Sequence, residues 1–141
     1  MKKNIVVDSS VALKWLNGEN EKNVDEALVL LNYLRDEKII IYMPELAKYE
    51  VGNALLNKKM NAIKSREALS GFYDISIQFF PQDEKQAFNS MNIALKHNIT
   101  FYDASFIALA EKLQATLVTD NVKHQGKYKG KIKVIALKDF I

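Results

Sequence analysis

The sequence predicts an α/β fold, a three-layer α/β/α sandwich around a short, mostly parallel central sheet. Short apolar runs alternate along the chain with longer segments whose apolar residues recur at helical spacing. The runs are continuously apolar, which is typical of strands covered on both faces in a parallel sheet. The 141 residues contain no repeat, low-complexity tract or linker, so residues 1–141 are expected to form one domain.

The first half of the chain is predicted to contain two strands and four helices. Ser9 or Ser10 can cap the first helix, and the pair Asn17 and Gly18 breaks it. Pro44 ends the second strand because proline has no N–H to donate to a neighbouring strand. The predicted elements are a strand over 4–8, helices over 11–16 and 22–36, a strand over 39–43, and helices over 46–56 and 65–77.

The second half of the chain continues the alternation of strands and helices. Its most apolar helix, over residues 102–113, is expected at the centre of the fold. The other predicted elements are a short strand over 79–81, a helix over 86–97, and strands over 116–119 and 131–136. In open parallel sheets ligands bind beyond the carboxyl ends of the strands, so residues that follow strands are the first candidates for a site.

Composition excludes several classes of protein. The chain contains no cysteine, which rules out disulfides and cysteine-based zinc sites and makes a cytoplasmic location the expected one. No segment approaches the ~20 apolar residues that a membrane-spanning helix needs. The apolar run after Lys2 and Lys3 is too short for the core of a signal peptide, so no membrane partner is expected.

Basic residues are concentrated near the end of the chain. The net charge is only +3, but Lys123, Lys127 and Lys129 belong to a group of lysines in the last twenty residues. A positive surface of this kind attracts phosphates, such as those of a nucleic-acid backbone. The alternative is a solvated loop and an edge strand that its lysines keep from aggregating.

Four acidic residues occupy positions where a parallel sheet builds sites. Asp8 ends the first strand, Asp120 follows the strand over 116–119, Glu50 follows the second strand, and Asp103 opens a helix. Each lies in or beside apolar sequence, and a half-buried carboxylate is costly unless something compensates its charge. Converging carboxylates also repel one another. Mg²⁺ or Mn²⁺, which bind oxygen ligands and can activate water against a phosphodiester, would remove both problems.

Each acid also has a simpler explanation. Asp103 can be an ordinary helix N-cap, and Asp120 a turn residue before Asn121. Asp8 can end its strand in an Asx-turn with Ser10. Glu50 can form a surface ion pair with Lys48 or Lys58.

Four sequence blocks, in this order along the chain, resemble the PIN-domain family and are most similar to VapC-type toxins of toxin–antitoxin operons. The resemblance covers essentially the whole chain, and its most specific parts surround Glu50 and Asp103. The blocks are VVDSS, PELAKYEVGNALL, TFYDASFIALAEKL and TLVTDN. The family implies a small α/β/α sandwich, a cluster of acids that holds Mg²⁺ or Mn²⁺, and endoribonuclease activity with tRNA or ribosomal RNA as typical targets.

By position in these blocks, Asp8, Glu50 and Asp103 match the first three family acids. Ser10 matches a small hydroxyl residue that supports the first acid, and Asn53 matches a polar residue one turn after Glu50. The resemblance therefore implies that the three acids are catalytic and hold the metal, with Ser10 and Asn53 in support. It also implies a cognate antitoxin, whose C-terminal tail crosses the active-site groove, and a homodimer.

The fourth acidic position departs from the family pattern. Relatives usually read Thr-x-Asp, whereas this chain reads Thr119, Asp120, Asn121. The usual acid falls on Asn121, and Asp120 stands one residue early. A one-residue shift within a strand turns the side chain to the opposite face. Asp120 and Asn121 both stay candidates as catalytic residues, Asp120 also as a fourth metal ligand, and Thr119 as a supporting residue.

Two other functions are compatible with the sequence. The first is a PIN-like module that binds RNA or protein and whose nuclease site has decayed, which the amide of Asn121 favours. The second is a phosphatase-like or receiver-like protein in which Asp8 accepts a phosphoryl group. That chemistry needs a lysine and a hydroxyl at strand ends, for which Lys123 and Thr119 are available.

Overall fold

The computed structural model describes residues 1–140, and its centre is a five-stranded sheet in which all neighbouring strands run parallel. The strands are β1 (Lys3–Val7), β2 (Ile39–Pro44), β3 (Ile77–Phe80), β4 (Thr116–Thr119) and β5 (Val134–Ala136). Their order is β3-β2-β1-β4-β5, so β1 occupies the middle of the sheet. The predicted α/β fold is confirmed, with a sheet that is parallel throughout.

Helices flank the sheet in two groups. They are α1 (Ser9–Leu16), α2 (Val24–Arg35), α3 (Leu46–Asn57), α4 (Ala62–Asp74), α5 (Glu84–His97), α6 (Phe101–Leu113) and the short α7 (Val122–Gln125), with a 3₁₀ turn at Leu137–Asp139. Helix α1 packs against α2, α3 and α4, whereas α5 packs along α6. Within residues 1–140, none of these helices is both long and apolar enough to cross a bilayer.

The core lies between the central strands and α6. Ile5, Val6 and Val7 of β1 are all completely buried, as expected for a continuously apolar strand covered on both faces. Helix α6 lies against β1, β2 and β4, and residues 104–110 within it are all buried. The prediction that the most apolar helix is central is therefore confirmed. This packing places the start of α6 near Asp8, which follows β1.

The predicted bounds differ most from the structure in two elements. The helix predicted over 65–77 is α4, which ends at Asp74 because Ile75 turns to an extended backbone and Ile77 pairs with Ile41 of β2. The last strand is shorter than predicted, since only Val134–Ala136 pairs with β4. In both cases pairing with a strand that is distant in sequence, rather than local composition, decides where the element begins or ends.

Candidate active site

Asp8 follows the central strand and is almost completely buried, with 6% of its surface exposed. It is itself the N-cap of α1, so the prediction that Ser9 or Ser10 fills this role is wrong. Its Oδ2 accepts hydrogen bonds from the hydroxyls of Ser10 at 2.6 Å and Thr119 at 3.4 Å. The Ser10 N–H also donates to Oδ2 at 3.4 Å, so the Asx-turn is present as well. These contacts hold the carboxylate in a defined orientation.

Glu50 lies on α3 and is turned toward the start of α1. Its Oε1 accepts a hydrogen bond of 2.8 Å from the Ser9 hydroxyl. The surface ion pair with Lys48 or Lys58 is absent, because both lysines bind other acids, at 2.9 Å and 2.7 Å respectively. Two consecutive serines of α1 thus support two different acids: Ser9 donates a hydrogen bond to Glu50, and Ser10 donates one to Asp8.

Asp103 lies in the first turn of α6. The N-cap of this helix is Thr100, whose hydroxyl accepts a hydrogen bond of 3.0 Å from the Asp103 N–H. The interpretation of Asp103 as the cap is therefore wrong. Among residues 1–140 no hydrogen bond or ion pair engages the Asp103 carboxylate, which is partly exposed.

The carboxylates of Asp8, Glu50 and Asp103, here called the acid cluster, interact electrostatically. Burial raises the pKa of the Asp8 carboxyl, the negative charge of Asp103 raises it further, and the hydrogen bonds from Ser10 oppose the shift. Burial likewise raises the pKa of Glu50 above its usual value, opposed by the Ser9 hydroxyl and reinforced by the charges of Asp8 and Asp103. Three segments far apart in sequence therefore bring like charges together at one place.

The acid cluster suits a divalent cation in the chemistry of its donors. Across residues 1–140 no three acidic or histidine side chains converge as tightly as the ligands of one ion. The donors are nevertheless all oxygens, and in the described ion pairs no lysine or arginine neutralises Asp8, Glu50 or Asp103. Hard cations such as Mg²⁺ and Mn²⁺ prefer such ligands, and their charge would relieve the repulsion within the cluster.

Asp120 lies outside the acid cluster. Its Oδ2 forms an ion pair of 3.0 Å with the Lys14 ammonium, and its Oδ1 accepts a hydrogen bond of 3.1 Å from Asn23. The Lys14 side chain is only 2% exposed and also binds Glu21 at 3.0 Å. The early position of Asp120 thus directs its carboxylate into a separate ion-pair network, whereas its backbone N–H still donates to the Ser10 hydroxyl at 3.3 Å.

The remaining predicted residues either contact neighbours of the acid cluster or are exposed. The Oδ1 atom of Asn121 lies 2.9 Å from Nδ1 of His124, so this amide faces α7. The Asn121 N–H donates to the Thr119 hydroxyl at 2.8 Å, which extends the network behind Asp8. Asn53 is exposed on α3. Three predicted RNA-binding residues are exposed on α7 and the loop that follows it: Lys123, Lys127 and Lys129.

Sequence reasoning missed three residues of this region. Ser9 binds Glu50, and its position beside Ser10 was the available signal. Lys14 stands alone between Leu13 and Trp15 in an apolar helix, which indicates burial. Gln125 is completely buried beside Asp8, although its neighbours in sequence are polar and give no such signal.

The raised pKa values of Asp8 and Glu50 predict how stability depends on pH. Protons bind these carboxyls more tightly in the folded than in the unfolded state. The metal-free protein therefore loses stability as the pH rises from the unfolded pKa of these groups through their higher folded pKa. We expect the free energy of unfolding in urea and EDTA to fall across this window. Saturating Mg²⁺ should reduce the fall, and an identical pH dependence with and without Mg²⁺ would contradict the prediction.

The profile of the PIN domain matches residues 5–129, most of the chain. The chain belongs to the PIN-domain family. Ribonuclease VapC3 of Pyrobaculum aerophilum is 27% identical over 121 residues, which cover 82% of this chain and 87% of that protein. Ribonuclease VapC1 of Mycobacterium tuberculosis is 30% identical over 118 residues, which cover 81% of this chain and 83% of VapC1. The predicted resemblance to VapC-type PIN domains is thereby confirmed.

A solved structure shows the same fold for this PIN domain. The toxin–antitoxin complex from Klebsiella pneumoniae contains a chain that superposes with a TM-score of 0.68 at 13% sequence identity. The match covers 94% of this chain and 97% of that chain. At so low an identity the likeness establishes the architecture, and the function has to be argued from the site.

Proposed function

We propose that this PIN-domain protein is a Mg²⁺- or Mn²⁺-dependent endoribonuclease, the toxin of a type II toxin–antitoxin pair, which cleaves tRNA or ribosomal RNA in the cytoplasm. The observation that carries the proposal is the acid cluster, in which Asp8, Glu50 and Asp103 repel one another at the carboxyl edge of the sheet. Folding several carboxylates together without a compensating lysine or arginine is unfavourable unless a cation is bound in the working state. The ribonuclease relatives support the same chemistry.

Asp8, Glu50 and Asp103 are the residues that would hold the cation. The hydroxyls of Ser10 and Thr119 orient the Asp8 carboxylate, and the Ser9 hydroxyl orients Glu50. When bound, the cation supplies an activated water and neutralises the charge that develops on the scissile phosphate. Neither residue at the fourth position belongs to this set, because Asp120 pairs with Lys14 and the Asn121 side chain faces His124.

The exposed lysines after β4 provide a path for the RNA backbone. Lys123 lies in α7, which begins three residues after the end of β4, and Lys127 and Lys129 follow in the next loop. Because these side chains are exposed, they can contact phosphates and release counterions, which makes binding dependent on salt. Asn53, exposed one turn beyond Glu50 on α3, is proposed to support the acid cluster.

The proposed partners are an antitoxin and a second copy of this chain. The Klebsiella pneumoniae structure is a toxin–antitoxin complex, and this supports an antitoxin partner here. Tyr49 and Leu56 on α3 and Leu95 on α5 are exposed apolar side chains, at 78%, 71% and 75% of their surface. Large exposed apolar residues of this kind are typical of surfaces that a partner covers.

An RNA-cleavage assay tests the proposed function. Purified protein is incubated with bulk tRNA and with ribosomal RNA in Mg²⁺ or Mn²⁺, and again in EDTA. We expect internal cuts with 3′-hydroxyl and 5′-phosphate ends that disappear in EDTA. Asp103→Asn should reduce the cleavage rate by more than about 100-fold, because it removes one of three charged ligands.

Asp74→Asn is the matched control, since Asp74 is an exposed carboxylate at the end of α4. It should cleave at the wild-type rate. Cleavage that persists in EDTA, or that Asp103→Asn leaves unchanged, would show that the acid cluster is not the source of the activity. Wild-type protein that binds these RNAs without cutting them in either metal would favour the binding module with a decayed site.

A further inference from the structure

Gln125 is the last residue of α7, and its side chain is completely buried behind the acid cluster. Its Nε2 lies 3.5 Å from Oδ1 of Asp8 and 3.4 Å from the backbone oxygen of Asp103. Both distances are long for hydrogen bonds, and both acceptors belong to residues of the cluster. One neutral amide therefore touches two of the three segments that carry the proposed ligands.

The orientation of this amide is determined by its neighbours. Turning it over would place Oε1 against the Asp8 carboxylate and the Asp103 carbonyl, which are both acceptors. The amide therefore presents its N–H groups to the cluster, and Oε1 points elsewhere. In the part of the chain that the structure describes, Oε1 is buried and receives no hydrogen bond.

Stability alone does not explain a glutamine at this position. A buried acceptor without a donor costs free energy, and an apolar residue of similar volume would avoid that cost at the expense of only two long contacts. Lysine or arginine could also donate to Asp8, but their charge would neutralise the carboxylate and compete with a cation. Glutamine is a long, uncharged donor, so it can hold Asp8 without cancelling the negative charge that attracts metal.

We propose that Gln125 is a positioning residue that holds Oδ1 of Asp8 and the start of α6 in the arrangement that binds the divalent cation. This inference rests on the proposed metal-dependent nuclease function. The hydroxyls of Ser10 and Thr119 hold Oδ2 of Asp8, and Gln125 approaches Oδ1 from α7. With both oxygens contacted, rotation of the carboxylate is restricted before the cation arrives, which is the general role of groups behind metal ligands.

Metal affinity of the RNA-free protein is the decisive measurement. Calorimetric titration with Mn²⁺ should show that Gln125→Met, which keeps the volume and removes the donor, binds Mn²⁺ about 10- to 100-fold more weakly than wild type. The urea midpoint of the same variant in EDTA should stay close to that of wild type, because removing the unpaired Oε1 offsets the loss of two long contacts to Asp8 and Asp103. A merely structural role would instead lower the midpoint and leave Mn²⁺ affinity unchanged.

Gln86→Met is the matched control. Gln86 is also buried, on α5, and its Nε2 lacks an acceptor within residues 1–140, yet it makes no described contact with the acid cluster. Its Mn²⁺ affinity should equal that of wild type. If Gln125→Met does not fold, Gln125→Asn keeps the site polar and shortens the reach by one methylene, so it should also weaken Mn²⁺ binding.

The outcomes separate this inference from the proposed function. Wild-type protein that binds Mn²⁺ and cleaves RNA, together with a Gln125 variant within about twofold of its affinity, would overturn only the role of Gln125. Wild-type protein that neither binds Mn²⁺ nor cleaves RNA would overturn both. Weakened binding in the Gln125 variants with an unchanged Gln86→Met control would support the positioning role.

Discussion

Asp8→Asn is expected to abolish RNA cleavage and, in the same molecule, to stabilise the metal-free fold. Asp8 is almost completely buried, and burial together with the charge of Asp103 raises its pKa, so ionising it at neutral pH opposes folding. Asparagine removes that charge, still caps α1, and can still accept the hydrogen bond from Ser10.

Two measurements check this prediction. The cleavage rate in Mg²⁺ should fall by more than about 100-fold, because the substitution removes a proposed charged ligand of the cation. The free energy of unfolding in EDTA at pH 8 should rise by about 0.5–2 kcal/mol, the range usual for a stabilising replacement at a site strained for function. Mg²⁺ should raise the stability of wild type and have little effect on the variant, because the proposed site would bind the cation tightly only in the wild type.

Asp120→Asn is the informative contrast, because Asp120 forms an ion pair with Lys14 that the substitution breaks. This variant should lose stability in EDTA, the opposite sign to Asp8→Asn. If both variants lose stability equally, the carboxylate of Asp8 is stabilised by the fold rather than repelled by its neighbours. The electrostatic argument for a cation would then fail.

The arrangement of the acid cluster can be predicted from the sequence because it follows from topology. In a parallel sheet the carboxyl ends of neighbouring strands meet at one edge, so Asp8 after β1 and Glu50 after β2 are expected to lie together. The bounds predicted for strand β4 are correct, because the polar residues Gln114 and Asp120 delimit a short apolar run. These features depend on residue type and order, which a single sequence displays.

Other features depend on contacts between residues distant in sequence. The predicted end of α4 is misplaced because Ile75, Ile77 and their neighbours are as compatible with a helix as with a strand until β2 pairs with them. The burial of Gln125 depends on how α7 packs beneath Asp8, and its sequence neighbours His124 and Lys123 are exposed. No local pattern predicts contacts of this kind.

Lys14→Met is expected to cause a larger loss of stability than either Asp120→Asn or the loss of any exposed charge. The Lys14 side chain is 2% exposed, and its ammonium lies 3.0 Å from both Glu21 and Asp120. Removing one partner of a buried ion pair typically costs about 3–5 kcal/mol, because the remaining charges lose compensation. Glu21 and Asp120 are partly exposed and can recover water, so we expect a loss of about 3 kcal/mol, measured by urea unfolding at pH 7.

The pH dependence of this loss provides a second check. Burial tends to raise the pKa of Glu21, but hydrogen bonds from Lys58 and Lys14 outweigh it and lower the pKa overall. A carboxyl with a lowered folded pKa stabilises the protein above its unfolded value, and that contribution disappears as pH falls through the folded value. The difference between wild type and Lys14→Met should therefore shrink as pH is lowered below about 4.

Lys58→Met is the control, since Lys58 binds the other oxygen of Glu21 at 2.7 Å but is 18% exposed. Because water can replace a more exposed partner, its removal should cost only about 1 kcal/mol. A larger loss for Lys58→Met than for Lys14→Met would show that the network does not depend on the buried ammonium.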